Sequence, residues 1–412
     1  MSPNLRIAIR FLTAKRRSMV MSLAGIVFGV GFFIVTQAQT SGFEEFFIKT
    51  ILGTDGAIRI VDKIQNTSPQ MSSDGSSFSI DQREGFKYVE GVEEPDLVRE
   101  AVMKFENVSG VSAVLSGAVI LRSNIRSDSA RVLGIELEDH LKVSDIARQI
   151  VLGHLNDFRG NASGTMVGRA LANRLGLNVG DSFVIEAQGQ MRRFRVSAIF
   201  ETGVGDVDKI RVYLHMRECR SLLQKPTGAS FLQIAVYDRD RAPAEAQQMK
   251  RVLSHNAEDW KWRERIWLEV FRALRISSAL TVSTIILISG LGMFNTLAMI
   301  VIEKTREIAI LRSMGYTRRD ISSIFIWQGV LVLAAGIVLG FGLGAGVTKG
   351  VEQLPIRIRG IFSTDNFVVA WSPWHYVAAA VTAIIVVMAA SVIPARRAAR
   401  LQPGDVIRGN SQ

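Results

Sequence analysis

Hydrophobic residues in this chain gather into four stretches without a single Asp, Glu, Lys or Arg: residues 18–43, 276–302, 321–348 and 376–395. They hold 26, 27, 28 and 20 residues. A helix needs roughly 20 apolar residues to cross the hydrocarbon core of a bilayer, so each stretch is long enough to span it once. Basic residues precede the first stretch, as in a signal peptide. Its length exceeds an ordinary h-region and no small-x-small cleavage site follows, which predicts a retained signal-anchor helix. Between the first and second stretches lie 232 residues of mixed polarity, residues 44–275, ample for a soluble domain. The other connections are short: residues 1–17, 303–320, 349–375 and 396–412.

Inside residues 44–275 the pattern alternates between strand-like and helix-like segments. Residues 57–61 read as a strand, 94–106 as a helix and 111–121 as a strand. Residues 65–79 (QNTSPQMSSDGSSFS) are polar throughout and predict a mobile loop. Residues 166–175 predict a helix closed by Gly176, with a turn over 178–181. Residues 182–187 and 192–200 then alternate around Gln188-Gly189-Gln190, a hairpin signal that puts Phe194, Val196, Ala198 and Phe200 on one face. A mixed α/β domain follows. Residues 259–275 run without a breaker into the second apolar stretch, and Trp260, Trp267, Phe271 and Leu274 recur at helical spacing. This predicts a stalk helix with interfacial aromatics; an ordinary amphipathic helix at the domain end has the same composition.

Small residues recur every four positions within two of the apolar stretches: Gly25 and Gly29 in the first, Gly336, Gly340 and Gly344 in the third. Such rows let helix backbones approach closely in lipid. Asn295 and Gln328 are the uncharged polar residues expected to bond between helices. At the N-terminus, Leu5, Ile9 and Leu12 alternate with Arg6, Arg10 and Arg17. They describe either an amphipathic helix on the inner membrane surface or the charged flank of a signal anchor.

Charge sharpens the topology. The net charge of +11 suggests nucleic-acid binding until it is partitioned. Residues 44–275 carry 32 acidic and 32 basic residues and are neutral, while residues 1–17, 303–320 and 396–412 hold ten of the eleven excess charges. Basic residues beside membrane segments mark the cytoplasmic side. Both termini and the second connection are therefore expected inside and the large domain outside, and nucleic-acid binding is set aside. The one cysteine, Cys219, cannot form an internal disulfide and reads as a buried thiol. No G-x-x-x-x-G-K-[ST], H-E-x-x-H or G-x-S-x-G occurs, and His140, His154, His215, His255 and His375 lack metal-ligand spacing. The chain is expected to be no enzyme by itself, with no catalytic, cofactor or metal residues.

The second cytoplasmic connection, residues 303–320 (EKTREIAILRSMGYTRRD), is the most informative segment. Ile308, Leu311 and Met314 form an apolar stripe, with Lys304, Arg306, Glu307 and Arg312 expected at the surface and Glu303 at the start of the docking segment. Gly315 stops the helix, and Thr317 with Asp320 reads as a capping box for the next span. A merely topogenic loop needs no ordered stripe, so a docking element for a soluble partner is expected here.

These residues resemble a known family. Residues 303–319 are similar to the E-x-x-R-E-I-x-I-L-R-x-x-G-x-x-R-R signature of the MacB, FtsX and LolC/LolE permeases, and PARRAARLQPGDVIR (394–408) to its C-terminal motif. Leu133-Gly134-Ile135, GTMVGRALANRLGLNVGD (164–181), VSAIFETG (196–203) and residues 260–274 resemble the lipoprotein-releasing branch. Two features depart from it: a longer polar stretch over 65–92, and Gly404-Asp405 in place of a V-E type pair. The resemblance implies a MacB-like type VII permease with four transmembrane helices and a large mixed α/β periplasmic domain in the bacterial inner membrane. It also implies a second permease copy or paralogue and a LolD-like ATPase dimer carrying ATP and Mg. Closure of the ATPases would push on residues 303–315, and the ectodomain would pass a lipoprotein to a periplasmic carrier without a channel. The same family also implies two other readings, MacB-like efflux and FtsX-like signalling to a cell-wall hydrolase.

Overall fold

The computed structural model describes residues 3–14, 16–63, 91–355 and 366–400. The polar stretch 65–79 and residues 401–408 of the C-terminal motif lie outside them. The described residues form two compact units, one within 3–45, 269–355 and 366–400, the other within 46–63 and 91–268.

The first unit is helical. Among the described residues, four helices are long and apolar enough to cross a membrane: Arg17–Asp55, Arg265–Glu303, Arg318–Glu352 and Pro373–Arg400. Each extends past the charge-free stretch it contains, because helix hydrogen bonding does not stop where apolar composition does. A short helix, Pro3–Ala14, precedes them. Their shared core holds Ile26, Val30 and Ile34 of the first, Ile286, Met293 and Leu297 of the second, Ile324 and Phe325 of the third, and Ala383 and Val387 of the fourth.

The second unit is built on one ten-stranded mixed sheet. Its strands are β1 (Ile58–Lys63), β2 (Val108–Arg122), β3 (Ser127–Ile135), β4 (Ile150–Gly153), β5 (Gly164–Gly168), β6 (Ser182–Ala187), β7 (Gln190–Phe200), β8 (Arg211–His215), β9 (Phe231–Val236) and β10 (His255–Asp259). The order is β10-β1-β9-β2-β3-β8-β5-β7-β4, with β6 joining β2 to β7. The β3/β8 and β5/β7 pairs are parallel and the rest antiparallel. Two apolar cores result. One packs Leu171, Leu175, Cys219 and Leu222 of two short helices against Leu115, Leu121, Ile185 and Phe194 of the sheet. The other packs Val98, Val102, Ala246 and Met249 against Ile58, Ile60, Leu232 and Ile234. The Cys219 thiol is fully buried, and burial pushes it up to about 12, which keeps it protonated and unreactive.

Three sequence expectations change here. Residues 166–168 are strand, not helix, and the helix covers only Arg169–Leu175. Met166 and Val167 lie between β7 and β8 and are fully buried, so pairing on both sides outweighs helix propensity. The helix over 94–106 is confined to Pro95–Val102, after which the chain turns into β2. The stalk is interrupted: Asp259 caps a single turn, Trp260–Arg263, and the long helix restarts at Arg265. The break at Glu264 lets Arg263 donate to the Gly56 carbonyl at 2.9 Å. Trp260 is buried, with Nε1 donating to Arg239 O at 3.0 Å, and Trp267 meets Phe47 at 5.4 Å between ring centres. Phe271 is buried too, whereas Leu274 is half exposed and contributes no packing of that kind.

An ion cluster closes this unit. Asp55, last residue of the first long helix, accepts from both Nη atoms of Arg211 at 2.6 and 2.8 Å and from Gln233 Nε2 at 3.3 Å. Arg59 stands 3.6 Å away. Burial opposes the charge on Arg211, but Asp55 outweighs it and holds the guanidinium above its ordinary range. Nearby, burial drives His140 down to about 4, with Asp55 working against that fall. His140 Nδ1 lies 3.3 Å from Ser112 Oγ. An unfolded histidine titrates near 6.5, so the unfolded chain takes up the proton first. The unit therefore loses stability as pH falls from about 6.5 to about 4, by up to about 3 kcal/mol from this one group. Unfolding of His140→Gln followed across that range is expected to show a flatter acid limb than the parent; an identical limb would assign the acid loss elsewhere.

Candidate functional site

The segment between the second and third long helices folds as expected at its ends. The second long helix stops at Glu303, a nine-residue helix covers Thr305–Ser313, and Gly315 turns the chain at φ +100°. Thr317 Oγ1 accepts from Asp320 N at 3.2 Å, and Asp320 Oδ2 accepts from Thr317 N at 3.0 Å. That reciprocal cap starts the third long helix.

The faces of the Thr305–Ser313 helix differ from the expectation. Ile308 is fully buried and Leu311 half buried, both packed in the helical unit's own core beside Ile321 and Ala398. Arg312, expected at the surface, donates from Nη1 to Ala399 O at 3.0 Å and is partly buried. The stripe therefore anchors the helix to its own bundle. Met314 alone of the three stands exposed. The outward face carries Arg306, Glu307 and Ile310, with Lys304 Nζ 2.5 Å from Glu307 Oε1. Glu303 is exposed at the preceding helix end. Beside them a cavity of about 430 Å3 opens toward Ile7, Arg10 and Phe11 of the N-terminal helix, and Lys304 Nζ lies 5.7 Å over the Phe11 ring. The result is a solvent-facing surface of mixed charge with an apolar floor, held from behind by Ile308 and Arg312.

The glycine rows settle which long helices touch. A Cβ at Gly25 would stand 2.7 Å from Ser289 Oγ and one at Gly29 2.8 Å from Ile286 Cγ1, so the first helix lies against the second. A Cβ at Gly336, Gly340 or Gly344 would meet Ile26, Val30 or Ile34 at 2.6, 2.8 and 3.0 Å, so the third lies against the first. The polar residues behave differently from expectation. Asn295 faces outward, and the buried Gln328 amide has no hydrogen-bond partner among the described residues. Bonds between helices are made instead by Thr296, 2.8 Å from Ser18 Oγ and 3.0 Å from Ser22 Oγ, and by Gln37, whose Nε2 lies 3.2 Å from Ser278 Oγ. Threonine in an apolar run carries no sequence signal that separates it from its neighbours. Among the described residues no cluster of His, Cys, Asp and Glu is placed to hold a metal ion.

Residues 19–252 match the MacB-like periplasmic core domain, and residues 279–403 match the FtsX-like permease C-terminal domain. The chain belongs to the MacB/FtsX family of ABC-transporter permeases. This permease is a multi-pass membrane protein with a periplasmic-type α/β domain. It is 25% identical to the lipoprotein-releasing system transmembrane protein LolC of Xylella fastidiosa (strain Temecula1 / ATCC 700964), covering 98% of each chain. It is 23% identical to the lipoprotein-releasing system transmembrane protein LolE of Haemophilus influenzae, over 94% of this chain and 93% of that one. Among solved structures, the periplasmic region of MacB from Actinobacillus actinomycetemcomitans matches 51% of the permease and 91% of that region, at 12% identity and a TM-score of 0.34. Overfilling a close helix contact costs about 1–3 kcal/mol, so Gly340→Leu is expected to lower the melting temperature of the detergent-solubilised permease. Gly346→Leu, where nothing lies within 4 Å, is expected to leave it near the parent value; equal shifts would refute the contact.

Proposed function

We propose that this permease works with a separate ATPase to extract lipoproteins from the outer leaflet of a bacterial inner membrane. The end-to-end similarity to LolC carries the reading, since it spans 98% of both chains. The ATPase part rests on two further features. The sequence has no P-loop of its own, and Arg306, Glu307 and Ile310 face away from the bundle on a helix fixed at both ends. In this reading ATP and Mg sit on a LolD-like dimer, and a second permease copy or a paralogue completes the complex. Both termini face the cytoplasm, as the partition of charge supports. Nucleotide-driven closure moves the Thr305–Ser313 helix, and the long helix Arg265–Glu303 conveys the displacement toward the ectodomain, which releases the lipoprotein to a periplasmic carrier. Helices packed through glycine can shift as rigid bodies, which suits such a stroke.

The match of residues 19–252 to the MacB-like core domain favours one alternative, ATP-driven efflux of a peptide or small molecule from the periplasm. A genomic neighbour encoding an adaptor and an outer-membrane channel would point that way.

The docking surface is tested by exchanging its charges. Arg306→Glu combined with Glu307→Arg is expected to cut recovery of the ATPase in affinity purification by about tenfold or more, since the loss of paired interface charges costs roughly 2–5 kcal/mol. Membrane insertion and melting temperature should stay at parent values. Undiminished recovery would remove this helix from the ATPase contact.

A further inference from the structure

In the α/β unit a pocket of about 310 Å3 opens between the last turns of the first long helix and the turn after helix Leu137–His140. Lys49, Lys142 and Arg239 line it, against one acid, Asp145. Lys142 Nζ also lies 3.0 Å from Asp139 Oδ1, a carboxylate that Arg99 holds in a two-pronged bond at 2.5 and 2.8 Å. Arg99 offsets the charge of Asp139, and the residues lining the pocket include more cations than acids.

A second feature is independent of the cations. Ser144 lines the pocket, is 6% exposed, and its hydroxyl has no hydrogen-bond partner among the described residues. Leaving a buried polar group unpaired costs roughly 1–3 kcal/mol, and a rotation of this side chain toward the pocket would let its hydroxyl donate to an acceptor there. The backbone around it is pinned: Ser144 N donates to His140 O at 2.8 Å and Asp145 N to Gly53 O at 2.6 Å. Gly53 permits that approach, because a Cβ there would stand 2.6 Å from Asp145 Oδ2.

The position along the first helix narrows the ligand. Lys49 lies six residues beyond Phe43, where the charge-free stretch ends. At about 1.5 Å per residue that is about 9 Å further along the axis. Headgroups extend roughly 5–8 Å beyond each side of the hydrocarbon core, so Lys49 falls at the boundary between headgroups and water.

We propose that this pocket binds a phosphate-bearing anion, either the phosphodiester of an anionic lipid headgroup or free phosphate. Lys49, Lys142 and Arg239 face its charge, and Ser144 Oγ donates to a phosphate oxygen. The test uses the full chain in nanodiscs of phosphatidylcholine with or without phosphatidylglycerol. Phosphatidylglycerol retained on release into detergent is counted by native mass spectrometry, with inorganic phosphate titrated as competitor. Lys49→Gln/Lys142→Gln is expected to retain about tenfold less phosphatidylglycerol than the parent, and Ser144→Ala several-fold less. Lys250→Gln, an exposed position outside the pocket, is expected to match the parent. Melting temperatures confirm that each variant is folded. Displacement by millimolar phosphate identifies free phosphate as the ligand; retention despite phosphate identifies the lipid headgroup. Equal retention by the parent, Lys49→Gln/Lys142→Gln and Ser144→Ala overturns the site, as does a parent that binds neither probe.

Discussion

The Asp55 carboxylate is the constraint around which the α/β unit is arranged. A charge taken out of water costs several kcal/mol unless close partners compensate it. Here the compensation comes from separate elements: Arg211 on β8, Arg59 on β1 and Gln233 on β9. None of these strands can leave its place without stranding a buried ion. The last turn of the Arg16–Asp55 helix is thereby held in the α/β unit by charge as well as by apolar packing. Arg263, bonded to the neighbouring Gly56 carbonyl, fastens the return of the chain at the same corner.

The helical unit is held on different terms. Its contacts are close and mostly apolar: glycine rows against Ile26, Val30 and Ile34, Thr296 between two serines, and an ion pair between Arg275 and Glu44. In lipid there is no hydrophobic drive between helices, so close van der Waals packing and a few hydrogen bonds carry the association. Such interfaces can slide. The Thr305–Ser313 helix joins this packing through Ile308 and Arg312.

Much of this was legible in the sequence, and the reasons for the exceptions are physical. Length and absence of charge mark a membrane helix strongly, so all four long helices were expected. The hairpin of β6 and β7 and the Thr317–Asp320 cap follow from local turn and capping chemistry. The errors arose where tertiary contacts outweigh local preference. Met166 and Val167 belong to a helix by propensity and to a strand because β7 and β8 flank them. Ile308 and Leu311 read as a docking stripe until the surrounding helices are placed. The Asp55–Arg211 pair joins residues 156 positions apart, and one sequence offers no way to choose these partners among 38 acids and 49 bases.

The central claim is that this chain is the membrane half of an ATP-driven machine whose passenger is acylated. Its most direct test is to purify the tagged protein from its own membranes in mild detergent and identify what accompanies it by mass spectrometry. The account predicts a small ABC ATPase together with lipoproteins bearing their acyl chains. Recovery of the ATPase with an adaptor or a cell-wall hydrolase and no acylated protein would contradict the passenger, and recovery of no ATPase would contradict the machine.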